Sequence, residues 1–243
     1  MSKKTTTMFE LRNNSIQSND PKKIEFSIIN EEQKEVLKSF NKNILTFVSA
    51  PPGSGKTFLS VSMGLKMLFD GKIKHLILSR PCVASEKIGF LPGDVNDKIL
   101  PYMSPMESII LKYINQEKFL NLKKQRLIQF SPIAFQQGIT FEDSFIVLDE
   151  AQNTTVDQMR TFLTRIGKNC KLSVIGDPNQ KLKKGINGFS YFLNILDGVK
   201  DIGIVHMTEE AIVRSKLVKD IENRYNESLN SEKDFDTFKG NDL

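Results

Sequence analysis

The sequence contains few of the residues that bind transition metals or form disulfides. Its two cysteines, Cys82 and Cys170, lie far apart, and its two histidines, His75 and His206, show no metal-ligand spacing. We therefore expect neither a zinc site nor a disulfide framework, and the reducing cytoplasm is the expected location. Long apolar runs are also missing, and the polar residues 1–7 lead into no apolar signal core. No membrane span and no secretion signal are expected.

Tryptophan is absent and tyrosine occurs four times, which leaves the 17 phenylalanines as the main candidates for stacking on bases. Most of them fall in apolar patterns that are typical of a core. The formal net charge of +5 and the pI of about 9.0 are compatible with a nucleic-acid partner. Because the basic residues are scattered rather than grouped, charge alone does not establish one.

The chain reads as one central domain between two polar ends. Residues 1–25 predict a flexible N-terminal arm, residues 26–228 the domain, and residues 229–243 a flexible tail. A helix capped by Asn30 is predicted to run through Phe40. Apolar runs predict strands at 44–48, 75–79, 127–131, 144–148, 171–175 and 202–206. Helical patterns lie near 56–69, 105–120, 155–166, 188–197 and 209–226. This alternation predicts a three-layer α/β fold around a mainly parallel sheet.

A glycine-rich run, Ala50-Pro51-Pro52-Gly53-Ser54-Gly55-Lys56-Thr57, follows the first strand and precedes a helix. This context is typical of a phosphate-binding loop, although position 50 is alanine where the usual pattern has glycine. Backbone N–H groups and the helix dipole would hold phosphate oxygens, Lys56 would reach the β- and γ-phosphates, and Thr57 would ligate Mg²⁺. The predicted nucleotide-binding residues are Pro52, Gly53, Ser54, Gly55, Lys56, Thr57 and Phe58.

Two later strands end in polar residues that suit hydrolysis. Asp149 and Glu150 follow the run 144–148, and open α/β sheets bind ligands at the carboxyl ends of their strands. Asp149 would hold Mg²⁺ through a water, and Glu150 would be the general base that activates a water. Gln180, after the run 171–175, would sense the γ-phosphate or the attacking water. The alternative for Gln180 is an ordinary surface residue in an Asp-Pro turn.

The segment from Arg80 to Pro105 interrupts the alternation with four prolines and reads as a long loop. Two interpretations are open for the segment Ile88-Gly89-Phe90-Leu91-Pro92-Gly93-Asp94 within it. It is an ordered lobe that covers the site or contacts a partner, or it is a surface loop with no chemical role.

Several motifs together resemble the PhoH-like ATPases. They are Asp149-Glu150-Ala151-Gln152-Asn153-Thr154-Thr155, Phe162-Leu163-Thr164-Arg165-Ile166-Gly167, Gly176-Asp177, Leu78-Ser79-Arg80-Pro81 and Gly89-Phe90-Leu91-Pro92-Gly93-Asp94. The resemblance covers roughly residues 30–226. It implies a RecA-like P-loop NTPase core akin to one motor domain of superfamily 1 helicases, ATP hydrolysis, and a ring-shaped homo-oligomer such as a hexamer. It also implies a role in RNA metabolism or phosphate starvation, and relatives of this size are common in phages.

The resemblance also suggests roles for single residues. Gln33 falls where relatives have a glutamine that reads the adenine edge; the alternative is a solvent-facing helix residue. Arg80 is either a phosphate or nucleic-acid contact or a structural salt-bridge residue. Arg214 would supply positive charge to the γ-phosphate within the chain or across a subunit interface, and Arg165 competes for that role. Arg165 is also a candidate nucleic-acid or interface contact.

One departure weakens the expectation of RNA binding. Relatives usually carry a Met-Arg-Gly-Arg-Thr run before the acidic strand, where this chain has Gln136-Gln137-Gly138-Ile139-Thr140 and lacks both arginines. The leading interpretation is a Mg²⁺-dependent ATPase that remodels or moves along RNA or single-stranded DNA, with helicase activity left open. The alternatives are an ATP-gated oligomeric binding module with slow turnover and a small-molecule kinase.

Overall fold

The computed structural model describes residues 24, 27–81, 95–136, 138–180 and 187–211, together with residues 217, 220, 221 and 224. Apart from Ile24, the predicted arm and tail lie outside the described residues, and so do Arg214 and the segment Ile88–Asp94.

The described chain has six strands and six α-helices with defined bounds, and residues 217, 220, 221 and 224 are also helical. The strands are β1 (Leu45–Ser49), β2 (His75–Ser79), β3 (Ile128–Phe130), β4 (Ser144–Leu148), β5 (Lys171–Gly176) and β6 (Ile202–His206). The helices are α1 (Glu31–Lys42), α2 (Lys56–Phe69), α3 (Val95–Ile110), α4 (Gln116–Lys124), α5 (Val156–Leu163) and α6 (Gly188–Ile195). Short 3₁₀ turns occupy Ile133–Phe135, Ala151–Asn153 and Glu209–Ala211.

The strands form one parallel sheet in the order β3-β2-β4-β5-β1-β6. All six predicted strands are confirmed, and β1 and β4 are buried along their whole length, as their continuous apolar runs indicate. Because β5 lies between β1 and β4, its exit turn lies between the glycine loop after β1 and the acidic pair after β4. The registers Ser49 opposite Gly176 and Leu148 opposite Val174 bring these three carboxyl ends together.

Helices cover both faces of the sheet, which confirms the three-layer α/β architecture. On one face, α1 to α4 pack into a core that includes Phe40, Leu59 and Phe119. On the other face, α5 and α6 enclose a second core around Phe162 and Phe189. The predicted cap of α1 is confirmed, because the Asn30 side chain accepts a hydrogen bond from the Gln33 backbone N–H at 2.8 Å.

The helix predicted at 105–120 is wrong in its extent. The chain forms two helices here, α3 and α4, separated by residues 111–115. Asn115 starts the second helix, since its side chain accepts from the Lys118 N–H at 2.9 Å. The first helix begins at Val95 and contains Pro101 and Pro105, so the predicted long loop is at least eleven residues too long at its C-terminal end.

Candidate nucleotide site

The phosphate loop connects the carboxyl end of β1 to the first turn of α2. Gly53 and Gly55 have φ angles of 81° and 85°, a left-handed conformation that glycine adopts without strain. The Lys56 side chain is buried, and its Nζ donates to the Pro51 carbonyl at 3.3 Å. The Ser54 hydroxyl is buried without a hydrogen-bond partner. A cationic amine and an unpaired hydroxyl in a glycine loop at a helix N-terminus suit a phosphate group.

Gln33 supports this loop from α1. Its side chain is 3% exposed, so the alternative of a solvent-facing residue is wrong. Its Nε2 donates to the Ser54 carbonyl at 3.0 Å, while its Oε1 accepts from the Ile29 N–H at 3.0 Å. The amide therefore fixes the loop and lies beside it. These two bonds use one N–H and one lone pair of the amide, which leaves a second N–H and a second lone pair for a nucleotide base.

Asp149 is the most enclosed charged group of the site, with a side chain that is 0% exposed. The Thr57 hydroxyl donates to its Oδ1 at 3.1 Å. Arg80, at the carboxyl end of β2, donates to its Oδ2 from Nε at 3.0 Å and from Nη2 at 2.5 Å. The salt-bridge alternative for Arg80 is thus present in the structure. Thr57 and Asp149 are oxygen ligands of the kind Mg²⁺ prefers, and their contact fits the predicted metal position.

Glu150 has an unusual backbone for a residue with a side chain. Its φ of 55° and ψ of 37° lie in the left-handed region, where only a few per cent of non-glycine residues occur. Such strain concentrates at functional sites. The Glu150 carboxylate accepts a hydrogen bond from Gln152 Nε2 at 2.6 Å.

The turn after β5 holds the third predicted group. Asp177 accepts two backbone hydrogen bonds, from the Asn179 N–H to Oδ1 at 2.9 Å and from the Gln180 N–H to the carbonyl at 3.1 Å. The Gln180 side chain is exposed. The structure therefore brings the Gln180 backbone to the carboxyl edge, and both of its predicted interpretations stay open.

Arg165 lies near the amino ends of the strands, at the opposite end of the sheet from the glycine loop. Its carbonyl accepts a hydrogen bond from the Phe141 N–H at 2.9 Å, where Phe141 precedes β4 and Arg165 precedes β5. The six residues of β5 separate Arg165 from the carboxyl edge by roughly 20 Å, more than a side chain spans. Contact with a nucleotide held by the same chain is thus excluded, and the subunit-interface and nucleic-acid alternatives for Arg165 stay predictions.

Phe58 packs against protein rather than facing an open site. Its ring stacks on Tyr113 with centroids 6.3 Å apart, and the Lys112 ammonium lies 5.4 Å from the ring centre. A role of Phe58 in nucleotide binding would therefore rest on its backbone N–H in the first turn of α2.

Sequence analysis assigned no role to Gln152, which contacts Glu150, or to Gly176, whose small size admits Gln152. A Cβ at position 176 would lie 2.9 Å from Gln152 Oε1. The sequence signal for both residues was their place in the motifs Asp149–Thr155 and Gly176-Asp177, which carry the family resemblance.

Fold and site together define a P-loop NTPase core. A family model described as PhoH-like protein matches residues 25–226, and the chain belongs to the PhoH-like family.

Curated relatives agree with this membership. The PhoH-like protein of Bacillus subtilis (strain 168) is 37% identical over 196 residues, which are 79% of this chain and 61% of the relative. Protein PhoH of Escherichia coli (strain K12) is 34% identical over 193 residues, or 77% of this chain and 54% of the relative. This chain spans less than two thirds of these proteins.

Solved structures are more distant. The Sulfolobus solfataricus SWI2/SNF2 ATPase core in complex with dsDNA aligns over 82% of this chain and 48% of its own, with 14% identity and a TM-score of 0.46. The large terminase from a thermophilic bacteriophage, in complex with ADP, aligns over 81% and 50%, with 14% identity and the same TM-score of 0.46. Among the residues that the structure describes, no helix is long and apolar enough to cross a membrane.

Proposed function

We propose that this chain is a Mg²⁺-dependent ATPase that uses hydrolysis to remodel or move along RNA or single-stranded DNA as a homo-oligomer. The observation that carries the proposal is the meeting of three groups at one edge of the sheet. These groups are the glycine loop with Lys56, the Thr57–Asp149 pair and the left-handed Glu150.

Binding rests on the loop and on α2. The N-terminal N–H groups of α2 and the buried Lys56 amine neutralise the phosphate charge, and the Ser54 hydroxyl has bonding capacity left for a ligand. Thr57 and Asp149 would hold Mg²⁺, which would supply positive charge to the triphosphate. Gln33 supports the loop and is the candidate for recognition of adenine.

Hydrolysis needs a base beside the γ-phosphate. Glu150 accepts the proton of a water whose oxygen forms a bond to the γ-phosphorus, while the bond to the β–γ bridging oxygen breaks and the electron pair stays on ADP. Glu150 beside Asp149 and Gln180 suits water as the nucleophile, and this favours hydrolysis over a kinase reaction. The positive charge for the transition state comes from Arg214, or from Arg165 of a neighbouring subunit.

Coupling to a polynucleotide is the finer part of the proposal. The net charge of +5 is compatible with it, while the uncharged segment 136–140 offers no arginine to phosphates. RNA-stimulated or single-stranded-DNA-stimulated turnover separates a motor from an ATP-gated binding module with slow turnover.

The test is an ATPase assay with and without RNA and single-stranded DNA, on protein whose mass in solution has been measured. Lys56→Ala should weaken nucleotide binding, because it removes the buried cation of the loop. Glu150→Gln should keep nucleotide binding and lower kcat at least a hundredfold, about the low end for a general base. Wild-type turnover by Glu150→Gln would refute the assignment of the base, and turnover that no polynucleotide stimulates would refute the motor.

A further inference from the structure

The Gln152 side chain connects two parts of the site that the backbone holds apart. It is 2% exposed. Its Nε2 donates to Glu150 Oε2 at 2.6 Å, and its Oε1 accepts from the Asp177 backbone N–H at 3.1 Å. One amide therefore joins the exit of β4 to the exit of β5, and both of its polar atoms are used.

The surroundings hold this amide in one position. A Cβ at Gly176 would lie 2.9 Å from Gln152 Oε1 and 3.2 Å from both the Gln152 backbone nitrogen and the Phe189 ring. The 3₁₀ turn that carries Gln152 is closed by a hydrogen bond from the Asn153 N–H to the Glu150 carbonyl at 3.0 Å. The Gln152 side chain thus has little room to turn away from Glu150.

We propose that Gln152 is a positioning residue that directs the Glu150 carboxylate and ties its orientation to the turn Asp177–Gln180. The left-handed backbone of Glu150 fixes where its side chain begins, and the Gln152 bond fixes where the carboxylate ends. Movement of the turn that carries Gln180 would be transmitted through the Asp177 N–H to the base. This inference rests on the proposed function, because it assigns Glu150 to catalysis.

The test compares two substitutions of nearly the same length. Gln152→Leu removes both bonds, whereas Gln152→Glu still accepts from the Asp177 N–H but turns a second carboxylate toward Glu150. Both should lower kcat about a hundredfold, the cost of misplacing a reacting group by about an ångström. Nucleotide affinity should change by no more than about threefold, because the Gln152 amide bonds Glu150 and Asp177 rather than the glycine loop. The matched controls are Gln116→Leu and Gln116→Glu on the exposed first turn of α4, which should keep wild-type kcat.

A second variant approaches the same contact from the other side. Gly176→Ala should lower kcat by displacing Gln152, and adding it to Gln152→Leu should cost little more than Gln152→Leu alone. If the double variant lowered kcat by the product of the two single effects, Gly176 would act independently of Gln152. Wild-type kcat in folded Gln152→Leu and Gln152→Glu proteins would overturn the proposal.

A readout without turnover separates this inference from the proposed function. The Asp177 amide NMR signal should shift in Glu150→Ala, because the Gln152 amide then loses its partner. The same substitution made in Gln152→Leu should leave the Asp177 signal in place. If the protein has no ATPase activity but its Asp177 signal depends on Glu150 in this way, the proposed function is refuted and the connection through Gln152 is supported. If Glu150→Ala does not change the Asp177 signal, the connection through Gln152 is refuted whether or not the protein hydrolyses ATP.

Discussion

The ion pair between Arg80 and Asp149 gives the sharpest prediction for stability. Asp149 is 0% exposed and the Arg80 side chain is 17% exposed, so solvent screens the pair little. Arg80→Met keeps most of the apolar stem but removes the charge, which leaves a buried carboxylate without this partner. Breaking a buried pair costs about 3–5 kcal/mol. Because the Thr57 hydroxyl still bonds Asp149 in the variant, we expect Arg80→Met to lower the free energy of unfolding by about 3 kcal/mol, the low end of this range.

Urea unfolding measures this loss directly from the midpoint, provided that the slope stays unchanged. In a domain of this size, about 3 kcal/mol corresponds to a Tm lowered by about 6–12 °C. Arg160→Met is the matched control, because Arg160 lies on the exposed side of α5. This substitution should change the free energy of unfolding by no more than about 0.5 kcal/mol. The double variant Arg80→Met/Asp149→Asn should be more stable than Arg80→Met alone, because no buried charge then remains unpaired.

Two outcomes would contradict this reasoning. A loss below about 1 kcal/mol for Arg80→Met would mean that water or another group solvates Asp149 in the variant. A double variant no more stable than Arg80→Met would mean that Arg80 stabilises the fold by packing rather than by charge.

Two further predictions concern the loop and the far edge of the sheet. Gln33→Ala should lower the free energy of unfolding by about 1–3 kcal/mol, since the Ser54 carbonyl loses a buried donor, and should raise KM for ATP. Urea unfolding and steady-state kinetics check it, and an unchanged KM would contradict the supporting role. Hydrogen bonds from Lys74 and Asn169 hold the pKa of Asp143 below its ordinary value. The stability that they give is present above about pH 4 and is lost as pH falls through the lowered pKa. Asp143→Asn should reduce the fall in the free energy of unfolding at acidic pH. An unchanged fall would exclude Asp143 as the group that causes it.

The strands could be predicted from sequence because a parallel sheet buries both faces of its strands. Each strand then becomes a continuous apolar run, and all six runs lie within one residue of β1 to β6. The break between α3 and α4 was missed because apolar residues continue on both sides of it. Its signal was local, since Asn115 followed by Gln116 and Glu117 is a helix start.

The site, too, could be predicted from sequence only in its local parts. The glycine loop and the acidic pair are each a continuous run of residues next to a strand, so the sequence predicts them together with that strand. The contacts of Asp149 join residues 92 positions apart in the case of Thr57 and 69 in the case of Arg80. No single sequence records such pairings. The far-edge location of Arg165, in contrast, follows from topology alone, because any residue that leads into a parallel strand lies at its amino end.

The adjacent carboxylates of Asp149 and Glu150 are held by separate groups. Thr57 in the first turn of α2 and Arg80 at the exit of β2 bond Asp149, whereas Gln152 in the 3₁₀ turn after β4 bonds Glu150. The left-handed backbone at Glu150 turns the chain between them. Proposed metal binding and proposed water activation are therefore oriented by different contacts, although the two residues are neighbours. Substitutions at Arg80 should disturb the first and substitutions at Gln152 the second, which makes the two roles separable by experiment.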